Sequence, residues 1–88
     1  MSSIKIKELV VLISIFGLLL GNCAFAQLSR ANTYFGEEKY ADAIVYYAKT
    51  LKKDPNNIEA TQNIAFSYRK LKDYLKAEAY YAKAVELN

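Results

Sequence analysis

Residues 40–49, YADAIVYYAK, return 34 positions later as residues 74–83, YLKAEAYYAK. Residues 27–54 and 61–88 share eight identities in 28 ungapped positions. All eight tyrosines of the chain keep this step of 34, as the pairs Tyr34/Tyr68, Tyr40/Tyr74, Tyr46/Tyr80 and Tyr47/Tyr81. A fixed period of ~20–50 residues is typical of a solenoid, in which one supersecondary unit stacks on copies of itself. The period therefore predicts the fold class, and it favours binding over catalysis.

The apolar pattern predicts helices within each repeat. Residues 40–53 and 74–87 each carry an apolar stripe at the 3.6-residue helical period. The stripes are Tyr40, Ala43, Ile44, Tyr47 and Leu51, then Tyr74, Ala77, Tyr81, Ala84 and Val85. Two further helices are predicted at residues 27–35 and 58–71, with a turn at residues 36–39 between the first two helices. The chain is therefore predicted to be all-α.

Helix ends are marked by capping residues. Residues 54–57, DPNN, break the chain, because proline cannot continue a helix and asparagine can cap the next one. Asp73 is a good N-cap for the fourth helix. Lys39 holds the equivalent position before the second helix and is a poorer cap.

These residues resemble the tetratricopeptide repeat (TPR) family, whose unit is a helix–turn–helix of ~34 residues. The matching positions are Ala31, Tyr34, Ala43, Tyr47 and Pro55 in the first unit, and Ala65, Tyr68, Ala77, Tyr81 and Ala84 in the second. Arg30 departs from the pattern at a position that is usually apolar, and Thr50 replaces the late alanine. The resemblance implies two TPR units, residues 27–57 and 58–88, forming an α-solenoid fragment. Small residues should let the helices approach closely, with each tyrosine filling the gap beside them.

Two repeats are few for a stable solenoid. About three repeats are usually required, because each unit buries its apolar face only against its neighbours. We therefore expect that the chain is the N-terminal piece of a longer protein, or that it associates with itself.

The N-terminal segment is predicted to be a secretory signal peptide, residues 1–26. Lys5 and Lys7 form a basic start, residues 9–20 form an apolar run, and Ala24-Phe25-Ala26 is a small-x-small cleavage motif. A membrane-spanning helix is the competing interpretation, but the apolar run falls short of the roughly 20 residues that a bilayer core needs. We expect an exported protein of the periplasm or outer membrane.

The single cysteine, Cys23, lies in that segment. Residues 20–23, LGNC, resemble a bacterial lipoprotein box, in which the cysteine becomes lipidated. The box prefers a small residue before the cysteine, and Asn22 stands there. Cleavage after Ala26 and lipidation of Cys23 both stay open, and either signal or lipid would be the only membrane attachment.

The residue inventory predicts no catalytic, cofactor or metal site. The chain has no histidine, and its one cysteine can form neither a disulfide pair nor a thiolate cluster. Ser29 and Ser67 have no neighbouring base that would activate them. Residues 27–88 hold ten basic and eight acidic residues, a net charge of +2. So small a surplus does not predict a nucleic-acid partner.

The resemblance does imply a binding surface. In TPR domains the first helix of each pair lines a concave groove that holds an extended peptide or a partner helix. The implied groove residues are Leu28, Asn32, Phe35, Gln62, Asn63, Phe66, Arg69 and Lys70. Framework positions are identical in the two repeats, whereas groove positions such as Phe35/Arg69 differ. This division suits a shared scaffold with a non-repeating surface, and it also suits ordinary divergence of exposed positions.

The chemistry of the groove narrows the expected partner. Asn32 and Asn63 match the asparagines of the carboxylate clamp in chaperone-binding TPR domains, but Leu28 stands where the clamp needs a lysine. Phe35 and Phe66 at the centre, with Arg69 and Lys70 at one end, favour an apolar segment that carries acidic residues.

The sequence thus indicates a protein–protein interaction scaffold of the bacterial cell envelope that is not an enzyme. The order of signal and repeats also resembles the start of envelope proteins that carry an OmpA-like domain. Two alternatives are a docking appendage of a larger exported enzyme and a self-associating structural unit.

Overall fold

The computed structural model describes residues 24–88, and this part of the chain consists of four helices without a strand. The helices are α1 (24–36), α2 (Tyr40–Lys53), α3 (Ile58–Lys70) and α4 (Tyr74–Leu87). Each helix of the second pair begins and ends 34 residues after its counterpart, so the predicted all-α repeat is confirmed.

Two boundaries differ from the prediction. Helix α1 is already formed at residue 24, ahead of the predicted start at Gln27, because alanines at 24 and 26 favour a helix. Gly36 belongs to the last turn of α1 rather than to the connecting turn. Helix α3 ends at Lys70, one residue before the predicted end.

The capping predictions are confirmed. The Asn57 side chain accepts a hydrogen bond from the Ala60 amide at 2.9 Å, and that of Asp73 accepts one from the Lys76 amide at 3.3 Å. Lys39 makes no side-chain capping bond at the start of α2. Since a cap satisfies one of the four free amides of the first turn, α2 begins with less local support than α3 or α4.

Both turns within the hairpins use a left-handed residue that is not glycine. Glu38 has φ 61° and Lys72 has φ 65°. The next amide, that of Lys39 or Asp73, donates to a carbonyl five residues earlier at 2.9 Å in each case. This is the Schellman arrangement, which normally places glycine at the left-handed position. Gly36 stands two residues too early to serve there.

Moving the glycine is therefore expected to stabilise the first hairpin. Glu38→Gly relieves a left-handed conformation that costs an L-residue about 1 kcal/mol. Gly36→Ala is expected to add roughly 0.5–1 kcal/mol, because a Cβ at Gly36 meets no atom within 4 Å and alanine favours the helix. Urea unfolding followed by circular dichroism measures both changes. A lower midpoint for Glu38→Gly would contradict the assignment of this turn.

The core lies where α1, α2 and α3 meet. Ala31, Ala43, Tyr47, Ala60 and Ile64 are fully buried and form one cluster. Three of the five are alanines, which let helix backbones approach closely, while the Tyr47 ring occupies the space that they leave. The packing of a tyrosine beside small neighbours is thus confirmed at the centre of the molecule.

Tyrosine packing also repeats between the hairpins. The Tyr34 and Tyr46 rings stack with centroids 5.4 Å apart, and the Tyr68 and Tyr80 rings stack at 5.7 Å. Tyr74 is different, since 62% of its surface is exposed. The expectation that each tyrosine fills a gap is therefore wrong for Tyr74, because no described helix covers that side of α4.

Residues 1–23 lie outside the described residues. This segment includes Cys23 and most of the predicted signal peptide, whose last three residues are helical in α1. None of the described helices has both the length and the apolar character needed to cross a bilayer.

Candidate protein-binding groove

Four of the eight predicted groove residues line one cleft. The cleft has a volume of about 340 Å³ and lies between α1, α3 and the C-terminal half of α4. Its lining consists of Phe35, Gln62, Asn63, Phe66, Tyr81, Ala84, Val85 and Asn88. An apolar wall with a few amide groups can hold an apolar side chain and orient the backbone that carries it.

An aromatic cluster forms the α1 side of the cleft. The Phe35 ring lies 5.4 Å from the Phe66 ring and 5.8 Å from the Tyr40 ring, and Tyr40 lies 6.0 Å from Phe66. These separations fall within the range in which aromatic pairs attract each other. Phe35 and Phe66 are only partly buried, so the cluster presents a firm apolar surface to solvent.

Two cations lie over this cluster. The Arg69 guanidinium carbon is 4.8 Å from the Phe66 ring centroid, and the Lys70 ammonium is 5.4 Å from it. Cation–π attraction places both charges beside the ring. Neither residue forms a salt bridge within the part of the chain that the structure describes. The predicted combination of phenylalanines and cations therefore exists in the fold.

The two predicted asparagines make a different arrangement. The Tyr47 hydroxyl donates to the Asn32 side-chain oxygen at 2.5 Å and accepts from the Asn63 amide at 2.9 Å. The Asn32 amide in turn donates to the Glu59 carboxylate at 3.3 Å. This Tyr47 relay joins α1, α2 and α3. Both asparagines thus satisfy a buried hydroxyl, and each keeps only part of its hydrogen-bonding capacity for a ligand.

The environment of Tyr47 keeps its hydroxyl neutral. Burial raises the pKa of Tyr47 above its ordinary value of 10.0, the Asn63 hydrogen bond lowers it, and the charge of Glu59 raises it further. The net shift is upward. The hydroxyl therefore carries its proton at neutral pH and can donate to Asn32 while it accepts from Asn63.

Leu28 lies apart from the cleft. Its side chain packs against the core cluster and borders a second cavity, of about 230 Å³, together with Thr50, Asp54 and Asn57. The structure therefore brings together Phe35, Gln62, Asn63 and Phe66, adds Arg69 and Lys70 at the Phe66 ring, and links Asn32 through Tyr47. Leu28 alone does not join this group.

The sequence prediction missed the contribution of α2 and α4. Tyr40 belongs to the aromatic cluster, and Tyr81, Ala84 and Val85 line the cleft. Their period of 34 indicates a packed framework, and sequence reasoning therefore leaves them out of the groove. The useful signal is the same period, since a framework residue of the last helix has no following helix in the sequence to cover it.

Metal-binding chemistry has no basis in the described residues. In residues 24–88, no three or more His, Cys, Asp or Glu side chains are placed to hold a metal ion. The one unusual polar atom is the Gln27 side-chain oxygen, which is buried and has no hydrogen-bond partner among the described residues.

Two helical hairpins related by a 34-residue step define a helical-repeat protein, a class that presents surfaces to other proteins. The match to a family model is more specific. A model described as "Tetratricopeptide repeat" matches residues 34–88, and the chain belongs to this family.

Similar proteins point the same way. Hsp70-Hsp90 organizing proteins 1 and 3 of Arabidopsis thaliana are 43% and 38% identical to this chain over 42 residues. Each match covers 48% of this chain, but only 7% and 8% of those proteins. The chain thus spans less than a tenth of the length of these curated relatives.

A solved structure is similar over most of the chain. It is described as "First TPR of Spaghetti (RPAP3) bound to HSP90 peptide SRMEEVD". The similarity has a TM-score of 0.71 and 36% identity, and it covers 76% of this chain and 53% of that one. The fold of the chain is therefore that of a protein-interaction module.

Proposed function

We propose that the chain is a protein–protein interaction scaffold whose groove binds an extended segment with apolar and acidic side chains. The observation that carries the proposal is the placement of Arg69 and Lys70 over Phe66, beside the cleft. An apolar side chain gains by leaving water for the Phe35 and Phe66 surface, and a carboxylate gains from the two cations. The chain acts by binding rather than by catalysis.

The peptide in the similar structure supports this chemistry. Its sequence, SRMEEVD, combines methionine and valine with acidic residues. That ligand belongs to the other protein, but a groove of the same fold, with 36% identity, held an acidic and apolar segment. The cationic end of the present groove fits a segment of the same kind.

The mode of recognition differs from a carboxylate clamp in one respect. Leu28 supplies no cation and faces the core rather than the cleft. Asn32 and Asn63 are already bonded to Tyr47. The groove therefore recognises side-chain carboxylates through Arg69 and Lys70, and it does not require the terminal carboxylate of the peptide.

A peptide titration tests the groove directly. Labelled SRMEEVD is expected to bind more tightly than SRMKKVK, and the double reversal Arg69→Glu with Lys70→Glu is expected to weaken its binding by at least about tenfold, since charge-assisted bonds contribute ~1.5–3 kcal/mol. The matched control reverses Lys52 and Lys53 on α2, which changes the net charge equally at exposed positions outside the cleft. Equal binding of the two peptides, or equal losses in both double variants, would contradict the proposal.

The peptide terminus separates the two modes of recognition. Amidation of the SRMEEVD C-terminus is expected to leave its affinity for this chain almost unchanged. Loss of binding on amidation would instead indicate that the terminal carboxylate is held, as in a clamp.

We also propose that the scaffold works in the bacterial cell envelope, in the periplasm or at the outer membrane. Support comes from the basic start, the apolar run of residues 9–20 and the motif at residues 24–26. Mass spectrometry of the mature N-terminus tests this location. Cleavage after Ala26 or a lipid on Cys23 would agree with export, whereas an intact N-terminus would argue against it.

A further inference from the structure

The two ends of the repeat pair are the two halves of its internal interface. On α3, Ala60, Ile64 and Ser67 are buried against the first hairpin, and their counterparts 34 residues earlier on α1 are exposed. Those counterparts are Ala26, Arg30 and Thr33. The outer side of α1, named here the α1 face, thus corresponds to the side of α3 that packs inside the molecule.

The opposite end shows the other half. On α2, the residues that meet α3 are buried or partly buried, namely Tyr40, Ile44, Tyr47 and Leu51. Their counterparts on α4 are Tyr74, Glu78, Tyr81 and Val85, named here the α4 face. Tyr74 is 62% exposed and Val85 is 74% exposed, whereas Tyr81 is partly buried. Large apolar side chains exposed together mark a surface that a partner covers.

Two substitutions at these ends are complementary in charge. Inside the molecule, Ile64 is fully buried and Ile44 packs against the cluster that contains it. The residue 34 before Ile64 is Arg30, and the residue 34 after Ile44 is Glu78. An apolar pair within the chain is thus replaced by a cation on the α1 face and a carboxylate on the α4 face. Neither Arg30 nor Glu78 has a salt-bridge partner among the described residues.

The hydrogen-bonding pattern agrees with this exchange. Inside the chain, the Tyr47 hydroxyl accepts from Asn63 of α3. Its counterpart Tyr81 has no hydrogen-bond partner for its hydroxyl in the described region. The residue 34 before Asn63 is Ser29, whose exposed hydroxyl on α1 can donate or accept. Helix α1 therefore carries a group suited to Tyr81 at the corresponding place.

We propose that the chain associates with itself head to tail, the α1 face of one copy packing on the α4 face of the next. Arg30 of one copy then pairs with Glu78 of the other, and each contact repeats the step that relates the two hairpins. Such an interface joins unlike surfaces, so it propagates into short arrays instead of closing as a symmetric dimer. The inference does not rest on the ligand of the groove.

Charge reversal followed by mixing tests the proposal on the full 88-residue chain. Wild-type protein is expected to show a mass that rises with concentration in analytical ultracentrifugation. Arg30→Glu or Glu78→Lys alone places like charges together, which is expected to raise the dissociation constant at least about tenfold. An equimolar mixture of the two variants is expected to associate again. The carboxylate introduced at position 30 of one variant then meets the ammonium introduced at position 78 of the other, and the native pair forms at alternate contacts.

Matched controls separate a specific pair from net charge. Asp42→Lys makes the same change as Glu78→Lys at an exposed position of α2, where the second repeat already has Lys76. Lys52→Glu is the counterpart of Arg30→Glu. Both controls should associate as the wild type does, and circular dichroism should show equal helicity in all variants. Wild-type protein that stays monomeric at all concentrations would overturn the proposal, as would variants that associate normally or a mixture that fails to recover.

Discussion

Replacing Tyr47 with alanine is expected to destabilise the fold by about 3–5 kcal/mol, the range for truncating a buried aromatic side chain. The Tyr47 ring is fully buried at the junction of α1, α2 and α3, and its hydroxyl satisfies Asn32 and Asn63. The change therefore opens a cavity and also leaves two amides without their partner. A domain of this size is stable by only roughly 3–10 kcal/mol, so a large unfolded fraction should appear at 25 °C.

Thermal and urea unfolding followed by circular dichroism measure this effect. Tyr74→Ala is the matched control, because the same atoms are removed from a side chain that is 62% exposed. Its cost should stay below about 1 kcal/mol, as is usual for surface changes. Equal destabilisation by Tyr47→Ala and Tyr74→Ala would refute the assignment of Tyr47 as the centre of the core.

Enlarging Ala43 to leucine is expected to cost about 1–3 kcal/mol, because extra carbon atoms in a closely packed core force neighbours to move. Ala43 is fully buried in α2, and its counterpart Ala77 is 4% exposed. The loss should appear as a lower unfolding midpoint with little change in the native helix content.

The same helix offers a control for this change. Ala41 is exposed, and Leu75 already stands at the corresponding position of the second repeat, with 83% of its surface exposed. Ala41→Leu should therefore leave stability nearly unchanged. If Ala43→Leu were equally harmless, the close approach of helices at the small residues would not limit the fold.

The period of 34 residues is enough to predict most of the architecture. It places α2 and α4 at their observed bounds, and the capping rules identify Asn57 and Asp73. Periodicity predicts these features because stacking repeats must bury equivalent faces. The start of α1 and the turn at Glu38 are less visible, since helix ends depend on local hydrogen bonds that tolerate many residue types.

The candidate site is only partly accessible from the sequence. Phe35, Phe66, Arg69 and Lys70 come together as predicted, because helical spacing places them on one side of α1 and α3. The roles of Asn32 and Asn63 cannot be read in the same way. Their amides reach across two helix interfaces to the Tyr47 hydroxyl, and pairing over 15 and 16 residues depends on tertiary packing rather than on spacing.

The Tyr47 relay has a consequence for how the molecule comes apart. One hydroxyl holds a residue from each of three helices, so the first hairpin and α3 share a nearest-neighbour coupling and should melt as a single cooperative block. Helix α4 has no equivalent anchor, because Tyr81 lacks such a relay among the described residues. Fraying therefore begins at α4, and whatever covers that helix also sets the cooperativity of the whole array.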